Sequence, residues 1–389
     1  MGAVEHLKTL CCLELPPESA MIALTPLLHE IIPHGWTRMV LMEPDATMGR
    51  GYSEHPAASS LLRERMWRFM DDPTSPWSLW MPYIRAGGIG WTLHMQGRSW
   101  RDTGWYREIE APLDACWLLD AMIGDAGRPL AFIVLSRPCS ASPFIVDDVK
   151  RLDRLRPWLA HAFRRSNSCL THQDLAHQDD DAPMSMAGSA LLSGQMILTA
   201  DAKLVFQTPG LEQRLRIYLG EPCNYTRYVP ARDQLPAPVL KLVRQINGAA
   251  NGACTTPPHT QISTAYGVIT LEAKWLVPSG ALPEDAAKDP KSCLISVTIA
   301  LHEHPIAHAA RALREYGATP AQTKVGIQLA LGKTKPVIAD GLGVQLSSVA
   351  DLTRKLYQIL DVHNSAELGT KIWLGRQHDG ARQNLRGAG

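Results

Sequence analysis

The stretch from Ser166 to Gly188 most constrains what this chain can fold into. It holds the run Asp179-Asp180-Asp181, Pro183 and several serines, and its large apolar residues are Leu170, Leu175, Met184 and Met186. Burial of so little apolar area cannot offset the entropy lost on ordering the segment, so it reads as a linker between folded units. One hydrophobic core rarely organises more than about 250 residues. A chain of 389 residues is therefore expected to form two or three domains. The expected division is a first domain over 1–165, a linker over 166–188, a second domain over 189–303, a linker helix over 304–317, a third domain over 318–375 and a flexible tail over 376–389.

Periodicity gives each part a character. Apolar residues recur with helical spacing from Val4 to Ile32, and a strand-length run, Met39 to Met42, follows. The stretches Cys116–Met122 and Leu130–Leu135 flank Gly124-Asp125-Ala126-Gly127, the pattern of a β-hairpin. Val149, Leu152, Leu155, Leu159 and Phe163 form the stripe of an amphipathic helix opening at Asp147. Beyond the linker, strands are expected at Met196–Thr199 and Leu204–Phe206, and helices through Leu211–Leu219 and Val239–Ile246. Three more strands are expected near Gln261–Ala265, Val268–Val277 and Leu294–Leu301.

Composition narrows the function classes. No apolar run approaches the roughly 18 residues that span a bilayer. The start, with Glu5 and Glu14 among its apolar residues, lacks the basic and uninterrupted apolar regions of a secretory signal. A soluble cytoplasmic protein is expected. The eight cysteines, at 11, 12, 116, 139, 169, 223, 254 and 293, form no C-x-x-C pair and read as reduced thiols, mostly core filler. A formal charge of +1 gives no global field for nucleic acid, so such a partner would have to be met by a local surface. His302-Glu303-His304 with His308 reads as the start of a linker helix rather than a metal site, and Gly87-Gly88-Ile89-Gly90 as a turn. No nucleophile elbow, phosphate-binding loop or phosphoacceptor pattern is present, so no catalysis, metal or cofactor is expected.

The C-terminal part carries the sharpest signal. Thr319-Pro320 starts a helix that Gly332 stops, and a second helix begins after Thr334 and stops at Gly343. After a four-residue turn, Ser347 is expected to cap a third helix. Its Val349, Leu352, Leu356 and Ile359 or Leu360 face inward, and Ser348, Ala350, Asp351, Arg354, Lys355 and Gln358 face outward. Two helices across a short turn, the second exposing polar and basic residues, suit a recognition helix in the major groove.

These residues resemble the LuxR-type helix-turn-helix domain along its four-helix length. The likeness rests on Thr319-Pro320, Lys333-Thr334, Ile338-Ala339, Leu342-Gly343-Val344, Ser348-Val349 and the closing run Leu356 to Leu368. The resemblance implies double-stranded DNA as partner. It places Ser347, Ser348, Ala350, Asp351, Arg354 and Lys355 on the DNA-facing helix, with Thr334 and Lys335 near phosphates. It also implies homodimerisation through a fourth helix, about Ser365 to Trp373. Three positions depart from the family pattern: Lys324 stands where an acid is usual, Ala350 where a basic residue is usual, and Asp351 turns a negative charge toward the groove.

The element order of the second domain resembles a PAS-like α+β sensor. The first domain is similar to the GAF-type α+β sensors found ahead of some LuxR-type domains, in Leu10-Cys11-Cys12-Leu13 and in the Phe144–Ala162 helix pattern. Nine of the eleven tryptophans fall before residue 160, a density that suits a lipophilic pocket. Its walls are expected between Trp67 and Trp91, with Trp77 and Trp80, and with Tyr83 and His94 as polar contacts. The resemblance implies a regulator of catabolic genes responding to a small apolar, aromatic or steroid-like compound. A protein-binding scaffold or anti-regulator with a degenerate helix-turn-helix is the alternative.

Overall fold

The computed structural model describes residues 2–43, 47–73, 75, 78, 82, 90–94, 98–125, 128–164, 190–221, 234–250, 258–276 and 294–374. The expected linker and tail lie outside these residues.

The chain opens with α1 (Ala3–Cys11) and α2 (Pro17–Ile31), which present Leu7, Leu10, Met21, Leu24 and Leu28 to the interior. An antiparallel sheet follows. Its strands are β1 (Trp36–Met42), β2 (Met48–Ser53), β3 (Gly90–His94), β4 (Trp117–Asp125) and β5 (Arg128–Arg137), with α3 (Ala58–Arg65) between β2 and β3. The spatial order is β2-β1-β5-β4-β3. The hairpin read from the sequence is β4–β5, in register from Trp117↔Arg137 to Asp125↔Arg128. Its pairing carries Cys116 and Cys139 together at the open end, where they form a disulfide. This corrects the reading of all eight cysteines as reduced thiols: a pair 23 residues apart in sequence becomes adjacent only through strand pairing. The unit closes with α4 (Val146–Arg164), which buries all five residues of its predicted stripe.

The second sheet contains β6 (Leu192–Thr199) and β7 (Leu204–Gln207), then α5 (Leu211–Tyr218) and α6 (Ala237–Ala250), then β8 (His259–Thr264), β9 (Gly267–Leu276) and β10 (Leu294–His302). This is the element order read from the sequence. Its spatial order, β7-β6-β10-β9-β8, repeats that of the first sheet strand for strand. On β10 the alternation Ile295, Val297, Ile299, Leu301 is fully buried, as a period of two requires of a sheet with one face on a core. Gly267 opens β9 at φ +139°, and a Cβ there would lie 2.2 Å from the His302 carbonyl oxygen. Because the obstacle is backbone, Gly267→Ala is expected to cost about 3 kcal/mol or more. A fall in Tm on the order of 10 °C in a thermal melt checks it.

The remaining described residues are helical: α7 (Pro305–Glu315), α8 (Pro320–Ala330), α9 (Lys335–Leu342), α10 (Leu346–Leu360) and α11 (Ser365–Leu374). Thr319 and Gln322 form a reciprocal capping box at the start of α8. Gly332 at φ +78° follows α8, and Gly343 at φ +64° ends α9, both in the left-handed region that glycine adopts without penalty. Gly326 of α8 lets the side chains of Leu313 and Leu356 approach, to within 3 Å of where a Cβ would sit, so three helices meet over one glycine. The third predicted helix starts one residue before its expected cap. Gln345 is the N-cap, Ser347 lies inside the first turn, and the turn from α9 is Gly343–Gln345.

The three parts touch. The Ser19 hydroxyl donates to the carbonyl of Ala265 at 2.5 Å, and the Tyr266 hydroxyl donates to that of Gly51 at 3.0 Å. The helix expected as a linker, α7, is packed: Ala307, His308, Ala309, Ala310 and Leu313 are buried against α1, α2, α8 and α11. At its far end Arg314 forms a forked pair with Glu30 of α2, at 2.9 and 2.6 Å.

Candidate nucleic-acid interface

The outward face of α10 is set by its inward one. Val349, Leu356 and Leu360 are fully buried and Thr353 joins them, its hydroxyl satisfied by the Val349 carbonyl at 2.7 Å. Leu352 is half-buried and Ile359 exposed, so Leu360 takes the last inward position. Ser347, Ser348, Ala350, Arg354, Lys355 and Gln358 are exposed, and Asp351 is partly so. Thr334, the N-cap of α9, and Lys335, its first residue, are exposed as well.

An open groove of about 550 Å³ brings Lys335, Ala350 and Arg354 together with Tyr357, Gln358 and His363. Sequence reasoning did not reach Tyr357 and His363 as site residues, although both stand in the closing run of the family-like pattern. The charges are arranged unexpectedly. Asp351 accepts from Arg354 Nη2 at 2.6 Å and lies 2.7 Å from Lys355 Nζ, so one carboxylate holds both cations of the helix. These two neighbours keep the Asp351 carboxyl below its ordinary range, the hydrogen bond from Lys355 contributing most. Ion pairs this exposed are worth little and yield readily to a phosphate. Around the turn, Val337, Val344 and Leu346 are exposed apolar side chains, each between 45% and 55% accessible.

α11 turns its apolar residues into the same chain. Leu368 and Ile372 are buried, and Trp373 stacks on His308 of α7, whose Nε2 meets the Ile372 carbonyl at 3.0 Å.

Of the expected pocket residues, Trp67 is half-buried on the surface. Its indole N–H donates to the Glu64 carbonyl at 3.0 Å and Arg68 lies over its ring. Trp77, Trp80 and Tyr83 lie outside the described residues. Trp91 and His94 are described by backbone alone, in β3 opposite Ala121 and Leu118.

The first sheet carries a different polar locus. Its register aligns Ser53, Arg38, Val134, Asp120 and Thr92 in one row across the five strands. Arg38 Nη2 and the Trp105 indole N–H both donate to Glu110 Oε1, at 3.1 and 3.0 Å, with Glu110 wholly buried. Arg38 Nη1, Glu110 Oε2 and Ser53 Oγ are buried without a hydrogen-bond partner among the described residues. Buried polar atoms are nearly always satisfied, so these three stand out as unfilled hydrogen-bonding positions. The signal available in the sequence was Arg38 and Asp120 standing inside otherwise apolar strands.

Of His302, Glu303, His304 and His308, only Glu303 and His308 share a partner among the contacts described, Arg311. His302 Nε2 meets Thr270, Glu303 pairs with Arg311, and His304 caps α7. No protein-family model matches the chain, and no curated protein matches it. Among the described residues no helix is long and apolar enough to cross a membrane.

Proposed function

We propose that this protein is a ligand-responsive transcription regulator that binds double-stranded DNA through α9, the Gly343–Gln345 turn and α10. The observation that carries the reading is the face of α10. Four inward residues fix the helix against α8 and α9, and a contiguous outward set of small, polar and basic side chains shares a groove with Lys335. That is the arrangement a recognition helix needs: rigid seating on one side, base-reading and phosphate-binding groups on the other. The small side chains of Ser347, Ser348 and Ala350 permit close approach to base edges, and Arg354 and Lys355 reach phosphates once Asp351 releases them.

The first domain supplies the input in this proposal. Its ligand is a small, largely apolar compound, aromatic or steroid-like, bearing a polar group for the Arg38–Glu110 locus. The regulator acts in the cytoplasm as a homodimer on catabolic genes. Ligand acts only through unequal affinity for two arrangements of the chain.

The direct test is capture of sheared genomic DNA by purified full-length protein at near-physiological salt, with and without aromatic and steroid compounds. A two-fold symmetric site enriched above background is expected. Retention of no specific sequence under any condition would count against DNA reading.

A second reading, a scaffold that docks another protein through the same helices, is favoured by the exposed Val337, Val344 and Leu346. Apolar area of this kind suits a protein surface as well as thymine methyl groups.

A further inference from the structure

A titratable cluster outside the row of Arg38 lies at the end of α2. His29 stands in its last turn, His34 in the loop before β1, and Glu54 just past β2. Their ligating atoms all lie within 4.8 Å of one another. Both imidazoles are oriented by the backbone. His29 Nδ1 lies 3.1 Å from the His34 carbonyl oxygen, and His34 Nδ1 lies 2.6 Å from that of Ile32. A carbonyl only accepts, so each Nδ1 carries a hydrogen and each neutral ring keeps its lone pair on Nε2.

The two Nε2 atoms face neighbouring partners. That of His29 is 3.0 and 2.8 Å from the two oxygens of Glu54, and that of His34 is 2.6 Å from the Thr37 hydroxyl. The carboxylate is itself held by the Thr37 backbone N–H at 2.6 Å. A lone pair on His29 Nε2 cannot face carboxylate lone pairs at this distance without a cation between them. At 2.8–3.0 Å that cation is a proton on the nitrogen; a metal ion would take its place only as the two groups part to about 3.3 Å, the separation of donors each about 2.0 Å from a tetrahedral ion.

We propose that His29, His34 and Glu54 form a binding site for a divalent transition-metal ion of the Zn²⁺ class. Two imidazole nitrogens and one carboxylate are a donor set for which Zn²⁺ is apt, with the fourth position left to water. The two Nδ1–H groups bound to backbone carbonyls supply the outer contacts that ligating histidines normally have and that fix which nitrogen binds. The rings are stacked at 3.8 Å with 7° between their planes, so metal entry turns the His34 ring out of the stack, loosening its Ile32 contact and exchanging its Thr37 contact for a metal bond, while His29 keeps its Nδ1 contact to the His34 carbonyl. An ion there ties the end of α2 to the β1–β2 edge, next to Glu30 and its pair with Arg314.

The test uses full-length protein, freed of metal by chelator dialysis and titrated with Co²⁺ and then Zn²⁺ against a chromophoric chelator. Wild type is expected to take up one Co²⁺ per chain whose spectrum lacks a thiolate charge-transfer band, which separates this site from the free cysteines. Zn²⁺ should displace it. His29→Ala and Glu54→Gln are expected to weaken that ion at least tenfold while retaining wild-type circular dichroism. Should His29→Ala fail to fold, Glu54→Gln, which preserves size and hydrogen-bonding shape, carries the comparison. Uptake only through thiolates, or unchanged affinity in a folded Glu54→Gln protein, would overturn the proposal.

Discussion

The double substitution Arg354→Ala, Lys355→Ala is expected to weaken binding to the captured DNA site by about a thousandfold. At about 0.15 M salt each phosphate deprived of its cation weakens binding roughly fivefold, so two per chain give about thirtyfold, and four in a two-fold symmetric complex about a thousandfold. Asp351→Asn should move affinity the other way. It removes the carboxylate that holds both cations, and binding should tighten roughly fivefold with a steeper dependence on salt. Fluorescence anisotropy over a salt series measures both. Unchanged affinity in the double variant would remove α10 from the DNA surface. Weaker binding by Asp351→Asn would show that the carboxylate accepts from a cytosine amino group instead of restraining its neighbours.

The second large effect is on acid stability. Burial lowers His6 and His304 from the ordinary value of 6.5 to about 4, the Arg314 charge adding to the effect at His6. His304 has a structural reason to stay neutral, because its Nδ1 accepts the Ile306 N–H at 3.3 Å at the start of α7. The unfolded chain protonates both residues near pH 6.5 and the folded chain only near pH 4, so below 6.5 the unfolded state binds more protons. Stability should therefore fall as pH drops from about 6.5 to about 4, on the order of several kcal/mol for the pair. Thermal melts across that range should show a steep decline. His304→Asn, which keeps an acceptor without the titration, should lessen the decline by its own share, leaving those of His6 and of His34, which burial also lowers to about 4. A Tm independent of pH between 6.5 and 4.5 would show that neither histidine stays neutral in the folded protein.

What was legible in the sequence was whatever depends on near neighbours. The stripe of α4, the glycine stops of α8 and α9, the capping by Thr319 and the order of elements around the second sheet all follow from periodicities and from residues within a few positions of each other. What depends on pairing between distant strands was not legible. Cys116 meets Cys139 because β4 and β5 form a hairpin, and Arg38, Ser53 and Asp120 share a row only once five strands are in register. His29, His34 and Glu54 come from three elements, and nothing in their spacing announces convergence. The pocket expected between Trp67 and Trp91 lies largely outside the described residues. Trp36, Trp100 and Trp105 are buried, and Trp67 lies on the surface. Which side chains of α10 turn outward follows from its period, yet the clamp by Asp351 does not, since it depends on rotamers that sequence does not specify.

The junction between β10 and α7 is short and stiff. Only Glu303 and His304 separate the strand from the helix, and both are tied into α7, one through Arg311 and the other as its cap. The helix is therefore a lever rooted in the second sheet. Its 11 residues make an arm of about 16 Å, so a tilt of about 10° at the root carries the far end nearly 3 Å. That is close to the ~3.4 Å rise between base pairs. The Arg314–Glu30 pair sits at the tip of that arm. If the chain binds DNA as proposed, release of that pair together with the packing of α7 on α1 and α2 would let a tilt of about 10° move the far end by about one base-pair step.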